Sequence, residues 1–335
     1  MAKVTIKDLA KITGYSKSTV SCALNNKEGV GEESRKEIIR IAKEMGYTPN
    51  YFARRISSKD YRTIGVILRD LTNPFYANVF CAIDKLAEEN DYETIFYNLA
   101  GDSRRTQCGI DLMKEKMVSG IILDFFGYDK NIVKSLVESS IPSVIFGLNV
   151  EADISCVQTD DTTGAREAVD YGIRMGYKNI FYIGRNRGDI FDMRRADTVR
   201  KRLQDCGMPY AHCLIYPPSK EEIAGLILKK CPENSLLICY NDIWACSVIQ
   251  GLMKVRKYVP RDYSVIGFDN IEVIPYGLTT VDIPQYRMAE EAFRLLLAQI
   301  EHNGKTKKVT LDSRLIVRDS VKDLTGGDAE VFSRP

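Results

Sequence analysis

The sequence predicts an N-terminal all-α helix-turn-helix headpiece followed by an α/β body of two doubly wound parallel-sheet subdomains. Three observations predict it. Residues 4–56 carry short helical patterns broken by a tight turn at Gly14. From Thr63 onward, apolar runs of five to seven residues alternate with helix-length amphipathic segments. The charge divides at the same place. Residues 1–62 hold 13 Lys/Arg and 7 Asp/Glu, a net of +6, while the rest hold 34 and 38, a net of −4. A basic head on a mildly acidic body suits a phosphate-binding module, whose binding weakens with salt through counterion release.

The head reads element by element. Thr5 is a good N-cap, because its hydroxyl accepts from the free N–H groups of a first helical turn, and Asp8 completes a weak capping box. Ile6, Leu9, Ala10 and Ile12 then form an apolar stripe. Gly14 tolerates the positive φ that a sharp interhelical turn needs. Ser16 caps a second helix with Val20, Ala23 and Leu24 facing inward and Lys17, Ser18, Ser21 and Cys22 facing outward. A third helix, about Glu32 to Met45, is expected to bury Ile38, Ile39, Ala42 and Met45, with Tyr47 closing the core. A second helix with polar, outward N-terminal residues has the docking geometry of a major-groove recognition helix. The plainer reading, a three-helix docking module, sits badly with the basic charge.

These residues resemble the headpiece of the LacI/GalR family of bacterial transcription regulators. The family run TIKDVA, GVS, TVSRALN stands here as TIKDLA, GYS and TVSCALN, and its GYxPN…AR stands as GYTPNYFAR. The resemblance continues to about Asp319. It places base readout on Lys17, Ser18 and Cys22. Lys17 suits guanine O6 or N7, and Ser18 takes donor or acceptor edges. Cys22 is shorter than the polar or basic residue common in the family, so it either contacts a thymine methyl or is a small filler. Thr5, Ser16, Thr19, Ser21 and Asn25 are expected to cap helices or hold phosphates, which positions the head without reading sequence. Residues 49–56 resemble the family's hinge helix, with Asn50 as cap, Ala53 within it and Ile56 as the minor-groove wedge. So short a helix is unstable alone and is expected to fold when two copies pack on DNA. The plainer reading of residues 50–60 is an ordinary linker.

The body's strand-like runs are 63–68, 94–98, 120–126, 143–147, 179–184, 235–241 and 263–269, with helical segments such as 74–90, 105–117, 161–176, 195–206, 220–230, 242–256 and 286–302 between them. Fully apolar strands separated by helices imply parallel sheets covered on both faces. Ligands of such sheets bind beyond the strands' carboxyl ends. Standing there are Asp70 to Tyr76, Asp124 to Phe126, Asn241-Asp242 and Gly267 to Asn270. Carboxylates and amides serve vicinal hydroxyls, and an aromatic face covers a sugar ring or a nucleobase.

The resemblance sharpens this list and implies a periplasmic-binding-protein-like body. NPFY matches the family's pocket segment and supplies Asn73 and Phe75. MRRADTVRKRLQDCG puts Arg195 at the ligand-contacting arginine, with Thr198 where the family has Gly. YND supplies Asn241 and IGFDN supplies Asp269, with Asp124 as a further candidate. Gly147 stands where many sugar-responsive members carry Asp, and Asn149 is a possible substitute for the missing contact. A post-strand Asp or Asn often only caps the next helix, which is the plainer reading of Asn73 and Asp242. Trp244 is expected to pack in its helix near the site.

The resulting division is 1–48 headpiece, 49–61 hinge helix and linker, 62–159 plus 285–318 N-terminal effector subdomain, and 160–284 plus 319–335 C-terminal subdomain and tail. The resemblance implies a homodimeric repressor on a near-palindromic, double-stranded operator, controlled by a sugar-like effector in the interdomain cleft. Within that class, a phosphocarrier protein acting as corepressor is the alternative controller. The tail LTGGDAEVFSRP has no leucine heptads, which argues against a tetramerising helix. No apolar run approaches the roughly 20 residues of a membrane span, and MAKVTIKDLA has no signal-peptide core, so a cytoplasmic place is expected. These features and the head oppose a solute-binding protein. Nine scattered cysteines without a CxxC pair, and two histidines, His212 and His302, exclude the usual zinc spacings and point to reduced thiols. No phosphate loop or nucleophile elbow is present, so neither an enzyme nor a cofactor is expected.

Overall fold

The computed structural model describes residues 4–25, 28–47, 61–127, 129–185, 187–272, 277–302 and 304–326. It divides into two compact units, residues 1–61 and 62–335. The hinge expectations for Asn50, Ala53 and Ile56 lie outside the described residues.

The first unit holds α1 (Ile6–Thr13), α2 (Lys17–Leu24) and α3 (Glu32–Glu44). Its helices start where their caps put them. Thr5 N and Oγ1 donate to Asp8 Oδ2 at 3.0 and 2.7 Å, and Asp8 N returns a bond to Thr5 Oγ1. Gly14 stops α1 at φ +73°, its N–H donating to Ala10 O. Ser16 Oγ accepts from Thr19 N at 3.1 Å. Glu32 and Glu33 fall in the first turn of α3, where the helix dipole favours negative charge. Leu9, Val20, Ala23, Ile38 and Ala42 form the core, with Met45 and Tyr47 packed on it. Two expectations fail. Ile12 is 56% exposed and Ile39 47% exposed. At about 100° per residue, Ile12 lies about 60° past Leu9 on the side away from Ala10, and Ile39 is turned about 100° from Ile38. Both are off the seam that carries the core.

In the second unit, the first sheet contains β1 (Thr63–Leu68), β2 (Glu93–Asn98), β3 (Gly120–Asp124), β4 (Ser143–Gly147), β5 (Ser155–Asp160) and β11 (Lys308–Asp312). Its order is β11-β5-β4-β3-β1-β2, and every pairing is parallel. The helices α4 (Pro74–Glu89), α5 (Thr106–Glu115), α6 (Lys130–Glu138) and α11 (Gln285–His302) accompany it. The second sheet contains β6 (Ile180–Ile183), β7 (Leu214–Ile215), β8 (Ser235–Cys239), β9 (Tyr263–Phe268), β10 (Thr279–Asp282) and β12 (Arg314–Ile316), in the order β12-β10-β9-β8-β6-β7. Its helices are α7 (Asp161–Arg174), α8 (Ile190–Asp205), α9 (Ile223–Lys230) and α10 (Asp242–Lys254). Strands β1, β3, β4, β8 and β9 are buried at every position. That is the burial a sheet covered on both faces imposes.

The chain crosses between sheets after β5, after β10 and between β11 and β12. The last crossing falls near Ser313, not after 318 as the expected division had it. Strand β12 pairs antiparallel with β10, Val281 opposite Leu315, which places it in the second sheet. Helix α8 starts at Ile190 rather than 195, because Asp189 caps it by accepting from Phe191 N and Asp192 N at 2.9 and 3.1 Å.

Candidate functional site

The outer face of the headpiece presents Lys17 and Ser18 exposed, with Ser21 and Cys22 half-buried. Ser16, Ser18 and Thr19 share a hydroxyl cluster, Ser16 Oγ lying 2.6 Å from Ser18 Oγ and 2.8 Å from Thr19 Oγ1. Asn25 Nδ2 donates to Ser21 O at 2.8 Å, so Asn25 and Ser21 secure the end of α2. Thr5, Ser16, Ser21 and Asn25 thus all have local capping or helix-closing bonds. If Lys17 reads a base, Lys17→Ala should change the operator preference and cost about 1–3 kcal/mol at that base pair. Selection of binding sites with both proteins checks this, and an unchanged site logo removes Lys17 from base readout.

In the second unit, one cleft lies beyond the carboxyl ends of both sheets. Asn73, Phe75, Asp124, Gly147, Arg195, Asn241 and Asp269 all line it. Asn73 caps α4 by accepting from Phe75 N at 3.1 Å. Asn241 caps α10, accepting from Trp244 N at 2.9 Å. For both, the capping reading and the cleft position hold together. Trp244 is buried, its Nε1 donating to Gly184 O at 3.1 Å, so it packs in its helix.

Arg195 is held from three sides. Its Nε donates to Asp161 Oδ2 at 2.9 Å and its Nη1 to Tyr240 O at 2.7 Å. Its Nη2 lies 4.0 Å from Asp269 Oδ1, and the guanidinium sits 4.5 Å above the Phe268 ring. Asp161 also meets Arg194 Nε at 2.7 Å, an ion pair poorly aligned for a hydrogen bond. Asp269 takes a backbone φ of +104°, held by its N–H donating to Val281 O. Backbone strain of this kind gathers at sites that use it.

Gly147 has φ +95°, and a Cβ there would meet Asp124 Oδ1 at 3.2 Å and Phe191 at 3.4 Å. The Asp124 carboxylate therefore occupies the space a side chain at 147 would take. Asn149 does not substitute for it. That residue is exposed, and its N–H donates to Gln158 Oε1.

Residues that sequence reasoning missed complete the cleft. Arg69 is 6% exposed. It donates through Nε to Asp124 Oδ2 at 3.3 Å and through Nη1 to Asp189 Oδ2 at 3.2 Å. Its guanidinium lies 4.1 Å from the Phe126 ring centre and 4.9 Å from that of Phe191. Tyr240 Oη donates to Asp189 as well. The free volume left is about 50 Å³, far below the ~300–1,000 Å³ of an open ligand pocket. The signal for Arg69 was a charged residue directly at the end of the apolar strand TIGVIL.

Burial pushes the Asp124 and Asp269 carboxyls up to about 6, against the opposing pull of Arg69 and Arg195 respectively. Burial, with Asp269 adding to it, pushes Asp242 up to about 8. Asp242 accepts from Thr280 Oγ1 and Ile271 N at 2.6 and 2.9 Å. An unfolded Asp titrates near ~3.9, so the folded state binds this proton more tightly. The stability it contributes is complete below about 4 and is lost as pH rises through about 8. Thermal melts should therefore fall between pH 6 and 8, a window above the other two raised carboxyls, and Asp242→Asn should flatten that fall. An equal slope in the variant contradicts the assignment.

A basic helix-turn-helix head joined to an α/β body with a polar, aromatic-walled cleft defines a class: DNA-binding regulators built on a binding-protein fold. The comparisons agree. Residues 5–50 match the model for bacterial regulatory proteins of the lacI family, and residues 169–321 match a periplasmic binding protein-like domain. The HTH-type transcriptional regulator MalR of Clostridium butyricum is 29% identical over 334 residues, covering 95% of this chain and 99% of MalR. The HTH-type transcriptional repressor PurR of Photobacterium profundum is 27% identical over 331 residues, covering 96% and 99%. The crystal structure of the lac repressor dimer bound to operator and the anti-inducer ONPF superposes with a TM-score of 0.84 at 18% identity, covering 96% of this chain and all of that one. The chain thus carries a DNA-binding domain of the LacI family and a periplasmic-binding-protein-like domain, the two parts of a DNA-binding transcriptional regulator, and the relatives named above are transcriptional regulators. Among the described residues no helix is long and apolar enough to cross a membrane.

Proposed function

We propose that this chain is a homodimeric repressor whose operator affinity is set by a small molecule, a sugar or sugar derivative, in the cleft of the body. The observation that carries this reading is the convergence of Asn73, Phe75, Asp124, Gly147, Arg195, Asn241 and Asp269 on one cleft, walled by aromatic rings and furnished with amides, carboxylates and guanidinium groups. Such a lining pairs with vicinal hydroxyls and covers the apolar face of a ring. The lac repressor dimer carrying operator and anti-inducer supports it by analogy of fold. Each partner would place one head on one half of a near-palindromic double-stranded site in the cytoplasm. The effector acts only through its different affinity for two arrangements of the body.

Screening by thermal shift and Trp244 fluorescence against sugars, sugar phosphates, polyols and nucleobases tests the cleft. A hit supplies the compound for operator-binding assays. A blank panel moves control toward a phosphocarrier corepressor, which pull-down then checks. The head's charge makes a second prediction. Operator affinity should fall on the order of 10³-fold or more between about 50 and 200 mM salt. A flat profile contradicts the phosphate-contact account.

A further inference from the structure

Arg69 extends from the end of β1 in the first sheet, and Asp189 caps α8 on the second. Their ion pair at 3.2 Å therefore ties one subdomain to the other across the cleft. The same guanidinium pairs with Asp124 in its own subdomain, lies over the Phe126 ring at 4.1 Å and the Phe191 ring at 4.9 Å, and leaves Nη2 buried with no hydrogen-bond partner. A buried donor without an acceptor is costly and rare in a native structure. Two carboxylates and stacked aromatic faces make a good seat for a cation. The guanidinium thus sits as a ligand would, in a cleft with room for little else.

We propose that Arg69 is a built-in occupant of the cleft, which holds the two subdomains together without effector and must be displaced before an effector can seat beside Asp124. The place it vacates is lined by Asp124 and Asp189, which accept but do not donate when ionised. The part of the effector that takes this place is therefore a donor, hydroxyl or amino, and not an acid. An acid there would face two carboxylates with no cation between them. The inference rests on the cleft being the effector site. Its experiment contains no effector, so occupancy can fail while the effector reading stands, and the reverse.

The test is chemical rescue of the full-length protein, read by thermal melting. Arg69→Ala should melt on the order of 5 °C below wild type, because it takes the cation from the buried Asp124 carboxylate and from the part-buried Asp189. Methylguanidine at about 10 mM should restore part of that loss, by analogy with a ligand that binds only the folded state. It should leave wild type unmoved, and acetate at the same concentration should do nothing for either. Asp189→Asn keeps a capping oxygen for Phe191 and Asp192, while it removes the charge and replaces the oxygen that accepts from Arg69 and Tyr240 with an NH2 group. It should lower the melting temperature too, and the double variant should lose less than the two single losses together. An Arg69→Ala protein that melts like wild type, ignores methylguanidine or responds equally to acetate overturns the proposal. If Arg69→Ala is not recovered folded, Asp189→Asn decides alone, and a wild-type melt for it is the contrary result.

Discussion

Asp269→Asn should abolish the response to the effector while operator binding stays at its wild-type level. The side chain lines the cleft at the end of β9 and is 7% exposed. The substitution changes charge but not shape. A ligand hydroxyl donating to an ionised carboxylate contributes about 1.5–3 kcal/mol, so affinity should fall on the order of 10–100-fold. The variant should fold, because Asn tolerates positive φ well and the φ here is +104°. Arg195 keeps Asp161 as its partner. Because burial lifts the Asp269 carboxyl to about 6, wild-type effector affinity should also rise between pH 5 and 7 as the acceptor ionises. Anisotropy titration of labelled operator, with and without effector, reads both proteins. A normal response in the variant refutes the role.

Arg195→Ala should be the most destabilising single change in the cleft. It leaves Asp161, fully buried, with only the poorly aligned Arg194, takes the nearest cation from Asp269, and leaves Tyr240 O without its donor at 2.7 Å. Breaking a buried ion pair by removing one partner costs about 3–5 kcal/mol. For a body of this size that is a fall on the order of 10 °C in Tm. Arg195→Lys should recover little, since a single ammonium cannot reach the Asp161 carboxylate and the Tyr240 carbonyl in the geometry of a planar fork. Thermal and urea melts measure this, and a loss under about 1 kcal/mol contradicts the network as described.

Much of the fold was legible because its physics is local. Thr5, Gly14 and Ser16 set the head's helix boundaries through caps and one positive φ, all readable from residue type. The central strands announced themselves as unbroken apolar runs, since both faces are covered. The edge strands did not. Strand β7 has two residues, and β11 alternates exposed positions with the half-buried Val309 and the buried Leu311, with charges at both ends. Its register against β5 is set by long-range pairing, as is that of β12 against β10. Ile12 and Ile39 show the limit of apolarity as a guide, because a hydrophobic residue just off the seam stays in solvent.

For the cleft, strand-end logic and family resemblance gathered residues that the fold brings together. Arg69 and Asp189 escaped because their meaning lies in each other, 120 positions apart in the chain. Arg69 follows a strand and reads as its solvated end, while Asp189 reads as a polar loop residue. Only the closed cleft shows that one neutralises the other. Gly147 marked a missing side chain, and the structure supplies the reason, since Asp124 already fills that space.

The central claim is that a small molecule in this cleft sets the affinity for DNA. The most direct measurement is the thermal shift of wild type and Asp269→Asn, side by side, across sugars, amino sugars, polyols and nucleobases, followed by operator titration with any compound that shifts wild type. The account predicts a compound that raises the wild-type melting temperature, leaves Asp269→Asn unmoved, and changes operator affinity only in wild type. A compound that shifts both proteins equally, or shifts wild type without altering operator binding, contradicts it.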